Sequence, residues 1–160
     1  MSLERFTHDP RRPVLSWEDL TTGAPTIIGF AGLCSHALAS GLSPPETISL
    51  AAQAILFAAQ DRGSLEIKAV KNAYDSSQRL LAVHVELAPE RILAFRSRLR
   101  PQFTIEMLDG FRELCAAGLV MHHLGHDFSL THAGFQRASA ITRPTVAALL
   151  AEATELEFDD

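Results

Sequence analysis

The chain has little of what usually announces a catalyst. Its 160 residues contain no phosphate-cradling glycine loop, no dinucleotide glycine fingerprint and no HExxH pair. Gly29-x-x-Gly32 is too small a pattern to stand for one. There are only two cysteines, Cys34 and Cys115, far apart in the chain and without CxxC or zinc-finger spacing. They read as buried thiols in a reducing compartment. Cys34-Ser35-His36 is no nucleophile and base, because neighbouring helical residues diverge around the axis and no orienting carboxylate accompanies them. A core cysteine beside a partly exposed histidine is expected there. The apolar run IIGFAGLCSHALASGL is too short and too polar for a bilayer, which needs about 20 apolar residues. The N-terminus MSLERFTHDPRRPV lacks the apolar stretch of a secretory signal. These absences lead to the expectation of a non-enzymatic cytoplasmic protein with no cofactor and no membrane partner.

An excess of positive charge is also missing: the formal net charge is −5, unlike a free-standing nucleic-acid binder. The balance is uneven. Residues 61–112 carry nine basic and seven acidic side chains, whereas residues 113–160 carry two basic and seven acidic, concentrated in EATELEFDD. With 47% hydrophobic and 21% charged residues, the chain has an ordinary globular composition and enough apolar material for one core.

Punctuation divides the sequence into an N-terminal arm and short helix (1–45), a central domain (46–140) and a C-terminal helix with an acidic tail (141–160). The arm is Pro- and charge-rich, with Trp17 as its anchor. A short helix over 26–41 ends at Gly41. After Ser43-Pro44-Pro45-Glu46, a helix to about Gln60 places Ile48, Ala51, Ala52, Ile55, Leu56 and Ala59 at helical spacing. Leu65, Ile67 and Ala69 alternate with Glu66 and Lys68, as Leu81, Val83, Val85 and Leu87 alternate with Ala82, His84 and Glu86; both runs read as strands, and they are expected to pair. Pro89-Glu90 predicts the start of a short helix over 90–99. The next helix, from Phe103, has an apolar stripe of Ile105, Leu108, Phe111 or Arg112, Cys115 and Leu119, and Gly118 is suited to the left-handed residue that ends it. A hairpin, Leu119–His123 and Asp127–Leu130, follows around Leu124-Gly125-His126, and Thr131 is placed to cap the next helix. Pro144 starts a last helix with the stripe Val146, Leu149, Leu150, Ala153 and Leu156.

Helix, glycine stop, two short strands and helix, in the phrase ELCAAGLVMHH…DFSLTHAGFQRA, resemble the second half of a winged helix-turn-helix domain. The resemblance extends over 46–140: 46–60 as first helix, 64–70 as first strand, 90–99 as second helix, 103–117 as the third helix that usually enters a DNA groove, and 119–130 as the wing. The strand-like run 80–87 is an insertion in that pattern. The implied fold is α+β and mainly helical, a winged-helix-like domain with a small antiparallel sheet and added terminal helices.

Such domains hold phosphates with Lys and Arg and read bases with the third helix. Here the outward positions of that helix are Glu106, Asp109 and Glu113, relieved only by Arg112. Carboxylates facing phosphates would be repelled and stripped of water without partners. Contact with a protein partner or a second copy is therefore expected at Glu106, Asp109, Arg112 and Glu113. The alternative, a DNA-binding regulator, would draw on Arg91, Arg96, Arg98, Arg100 and Arg112 as backbone contacts. The basic run Arg91–Arg100 has a plain reading as a solvated face, on which the acidic tail could dock. The apolar stripe of the last helix has a plain reading as packing on its own domain, whereas the winged-helix resemblance implies a homodimer formed through it. In the wing, His122, His126 and His132, with Asp127, form a weaker, metal-responsive alternative; adjacent His122 and His123 face opposite sides of a strand and cannot share one ion.

Overall fold

The computed structural model describes residues 22–71 and 79–157. The arm with Trp17 and most of the connection between the first two strands lie outside them. Helix α1 (Ala24–Ser40) ends at Gly41 in the left-handed conformation. Helix α2 (Leu50–Ala59) begins at Ser49, whose hydroxyl accepts from the Ala52 N–H. The start therefore falls later than Ser43-Pro44-Pro45 suggested. Strands β1 (Ser64–Lys71), β2 (Arg79–Ala88) and β3 (Arg91–Ala94) follow, then helix α3 (Pro101–Ala116), the hairpin β4 (Val120–His122) and β5 (Asp127–Leu130), helix α4 (His132–Ser139), helix α5 (Arg143–Glu152) and strand β6 (Thr154–Glu157). Among the described residues the chain is α+β, with five helices and one antiparallel sheet in the order β4-β5-β1-β2-β3-β6.

Two elements depart from expectation. Residues 90–99 form no helix. Glu90 adopts a positive φ of 67°, the chain reverses after β2, and Ile92 and Leu93 enter β3 opposite Glu86 and Val85. The C-terminal tail is not an acidic extension of the last helix either. Helix α5 stops at Glu152, and Ala94–Arg91 pair with Thr154–Glu157, making β6 an edge strand. Other expectations hold. β1 and β2 pair with Leu65 opposite Val85 and Ile67 opposite Val83. Gly118 has a φ of 71°, which L side chains adopt only under strain. Thr131 Oγ1 accepts from the Gly134 N–H at 3.0 Å and donates to the Gly118 carbonyl at 2.8 Å, tying the start of α4 to the end of α3.

The helices cover one face of the sheet. Leu65 and Ile67 from β1, Val83 and Val85 from β2 and Phe128 and Leu130 from β5 meet Phe103, Met107, Phe111 and Leu114 from α3. The buried stripe of α3 is thus rotated from the expected one: Ile105 is 58% exposed and Leu108 only half-buried. Phe30 and Cys34 of α1 and Val146 of α5 join the same core, so the segments flanking 46–140 share its interior. The apolar stripe of α5 faces α2: Leu149, Leu150 and Ala153 pack against this core, while Leu156 lies in β6. A dimer seam along that stripe would have to displace packing within the chain.

Candidate functional site

Chemically distinctive side chains gather around the wing. Because side chains alternate along a strand, Leu65 and Ile67 enter the core while Glu66 and Lys68 project from the opposite face. Register then aligns Asp127, Glu66 and His84 in one row across β5, β1 and β2. His126, in the turn before β5, leans towards this row, with Nε2 3.5 Å from Glu66 Oε2. The same oxygen lies 2.6 Å from Lys68 Nζ. Glu66 Oε2 is shielded from solvent, and neither contact is aligned as a hydrogen bond.

His84, 6% exposed, donates from Nδ1 to the Ala82 carbonyl at 3.0 Å. Burial holds its pKa below the ordinary 6.5, outweighing the hydrogen bond to Ala82 and the attraction of Glu66. The unfolded chain therefore takes up this proton at a higher pH than the folded one. Between those two values the unfolded state binds more protons, so stability falls as pH drops below about 6.5. Urea denaturation at a series of pH values between 7.5 and 5 should show that loss, and His84→Gln should flatten it. An unchanged slope in the variant would place the dependence elsewhere.

The expected wing ligands do not assemble. His122 turns to the helix side, with its ring edge-on to Phe128 at 4.9 Å and its Nε2 donating to the Gly125 carbonyl at 2.7 Å. His123 faces the other way and pairs through Nε2 with Ser129 Oγ at 2.7 Å. His132 opens α4. Of the three weak candidates, only His126 reaches a ligand-like cluster. Its companions are Asp127 and Glu66, with ligand atoms all within 4.8 Å of one another. Glu66 lies sixty residues before His126 in the chain and was not among the sequence candidates. Its alternation placed it on a strand face, but nothing local showed which strand would pair beside it.

On the helix side of the same turn, a half-open groove of about 620 Å³ runs between α1 and β1. Ile27, Ile28 and Ala31 form one wall and Ile67 and Ala69 the other, with His122 and His126 at one end. Its size and apolar lining fall within the range of small-ligand sites.

The third-helix candidates divide. Glu106 and Asp109 are exposed, and Asp109 holds Arg112 at 2.8 Å from Oδ1 to Nε. That contact raises the Arg112 pKa further above its ordinary value. Glu113 is not outward: its carboxylate accepts from the Ser49 N–H at 2.9 Å and the Ser49 hydroxyl at 2.6 Å, linking α3 to the start of α2. Two cations of the basic run pair with the chain's own acids. Arg91 pairs with Glu155 and Arg100 with Glu152, at 2.8 Å from each Nε. Arg96 is half-buried and Arg98 exposed, and both have partners.

Cys34 and Cys115 are both free and buried in the one core, close enough for each thiol to perturb the other. That contact, followed by burial, pushes the Cys115 thiol far up, so it remains protonated. His36 is exposed on the other side of α1, away from the buried Cys34. Among the described residues no helix is long and apolar enough to cross a membrane. No family model, curated protein or solved structure matches the chain.

Proposed function

We propose that this chain is a non-enzymatic, winged-helix-like regulatory module that acts by touching another protein, with the outer face of α3 as its contact surface. The hairpin β4–β5 docked on β1 behind α3 supports the likeness, although the pair β2–β3 stands where such domains carry their second helix. One observation carries the choice of partner: three of the cations a phosphate backbone would need stand beside carboxylates of the same chain, in exposed pairs that lower the local positive charge without fixing the side chains. Arg91, Arg100 and Arg112 answer Glu155, Glu152 and Asp109. Exposed Ile105 lies among Glu106 and Asp109 on α3. This surface suits a partner with an apolar contact ringed by basic groups.

Two measurements test the reading. A fluorescent random duplex at about 50 mM salt should show no salt-sensitive binding to the wild-type chain, whereas phosphate-driven binding would fall steeply with salt. A photocrosslinking amino acid at Ile105, introduced in the native cells, should give a discrete protein adduct that the same group at exposed Ala148 does not. Salt-sensitive duplex binding, or no adduct at Ile105, would overturn the proposal. DNA binding would then require Glu152 and Glu155 to release their arginines.

A further inference from the structure

We propose that Glu66, His126 and Asp127 bind a divalent transition-metal cation of the zinc class at the base of the wing. Three potential donors converge there: one imidazole nitrogen and two carboxylate oxygens, all within 4.8 Å of one another. Two ligands of a tetrahedral zinc ion, each at about 2.0–2.2 Å, stand about 3.4 Å apart. His126 and Asp127 are exposed, so rotation of their side chains is the movement the site would use to reach that spacing. The backbone beneath them is already fixed. The Ile67 N–H donates to the His126 carbonyl at 3.1 Å, the His123 N–H to the Asp127 carbonyl at 2.9 Å, and the Asp127 N–H to the Leu124 carbonyl at 2.9 Å.

Two features of the Glu66 carboxylate favour a cation at this place. Glu66 and Asp127 are direct cross-strand partners, and like charges in that position destabilise a sheet unless something neutralises them. Glu66 Oε2 is also closed off from solvent, with Lys68 Nζ at 2.6 Å and His126 Nε2 at 3.5 Å beside it but neither aligned as a hydrogen bond. Lys68 supplies part of the charge, but its pair with Glu66 is partly exposed, at 44% and 32% of the two side chains. Such pairs contribute little, and the ammonium can swing into water. One imidazole with two carboxylates suits zinc, or manganese and cobalt in the same site, better than calcium or magnesium, which prefer an all-oxygen shell. Three protein ligands leave a coordination position for water or a ligand donor, and His126 also borders the apolar groove.

The test uses the full chain after chelator treatment, titrated with zinc chloride by calorimetry and with cobalt chloride by visible absorption. One equivalent of zinc should bind, raise the melting temperature, and compete with cobalt in a tetrahedral, intensely absorbing site. Glu66→Gln, Asp127→Asn and His126→Ala should each weaken binding about tenfold or more, while His122→Ala and His132→Ala leave it unchanged. Circular dichroism of each variant before metal is added separates lost binding from lost folding. Zinc binding that survives His126→Ala and Asp127→Asn, or no binding up to about 1 mM zinc, would overturn the assignment. The isolated chain needs no partner to bind zinc, so such a failure leaves the protein-contact proposal standing.

Discussion

Phe111→Ala should remove about 3–5 kcal/mol of folding stability, the usual loss when a buried aromatic is truncated in a core. Phe111 is fully buried on α3, between Phe30 of α1 and Phe128 of β5. Its ring meets them edge-on, with centroids 5.3 and 5.0 Å away. Phe128 in turn meets His122 in the wing. Four rings thus join helix α1, the central helix and both wing strands in one stack, and each edge-to-face pair adds about 0.5–1.5 kcal/mol to simple burial. Against a total stability of about 5–15 kcal/mol for a domain, the truncation would leave the fold near its limit. Urea midpoints followed by circular dichroism measure the loss. Ile105→Ala, on the exposed side of the same helix, should change stability by no more than about 0.5 kcal/mol. A loss below about 1 kcal/mol at Phe111 would mean that the stack does not hold α1 to the sheet.

These contrasting positions also show where the sequence was legible. Turn and cap chemistry acts over three or four residues, so Gly118, Thr131 and the strand alternations 65–69 and 81–87 could be read directly. The face of α3 was harder, because two apolar series run along it: Phe103, Met107, Phe111 and Leu114 point inward, whereas Ile105 and Leu108 interrupt the polar side. Residues 90–99 misled for a related reason. Pro89-Glu90 followed by Ile92, Leu93 and Phe95 fits either a helix start or a short buried strand. The strand wins because β2 on one side and β6 on the other complete its hydrogen bonds, and β6 begins sixty residues later. Glu66 with His126 and Cys34 with Cys115 escaped notice for the same physical cause: each pair is made by long-range pairing or packing rather than by neighbours in the chain.

Gly134→Ala is expected to cost about 3 kcal/mol, at the upper end for inserting one methyl group into a packed site. A Cβ at this position would overlap the Leu119 carbonyl oxygen and lie 3.1 Å from the Leu119 carbonyl carbon and 3.3 Å from Leu130 Cβ. The obstacle is backbone, so no side-chain rotation can relieve it. That backbone is also committed: the Leu119 carbonyl accepts from the Thr131 N–H at 3.1 Å, and the Thr131 hydroxyl caps α4 through the Gly134 N–H. Moving α4 outward to admit the methyl would strain both bonds, and loss of a threonine cap alone costs about 1 kcal/mol. Gly29 and Gly32 provide the opposite case on α1, because a Cβ there meets nothing within 4 Å. Gly29→Ala and Gly32→Ala should each stabilise the chain by up to about 1 kcal/mol, the difference in helix propensity between glycine and alanine. Guanidinium denaturation of the three variants separates steric exclusion from helix propensity. Equal stability of Gly134→Ala and wild type would show that α4 can withdraw from the hairpin without penalty, and the close junction between wing and helix would no longer be required by the fold.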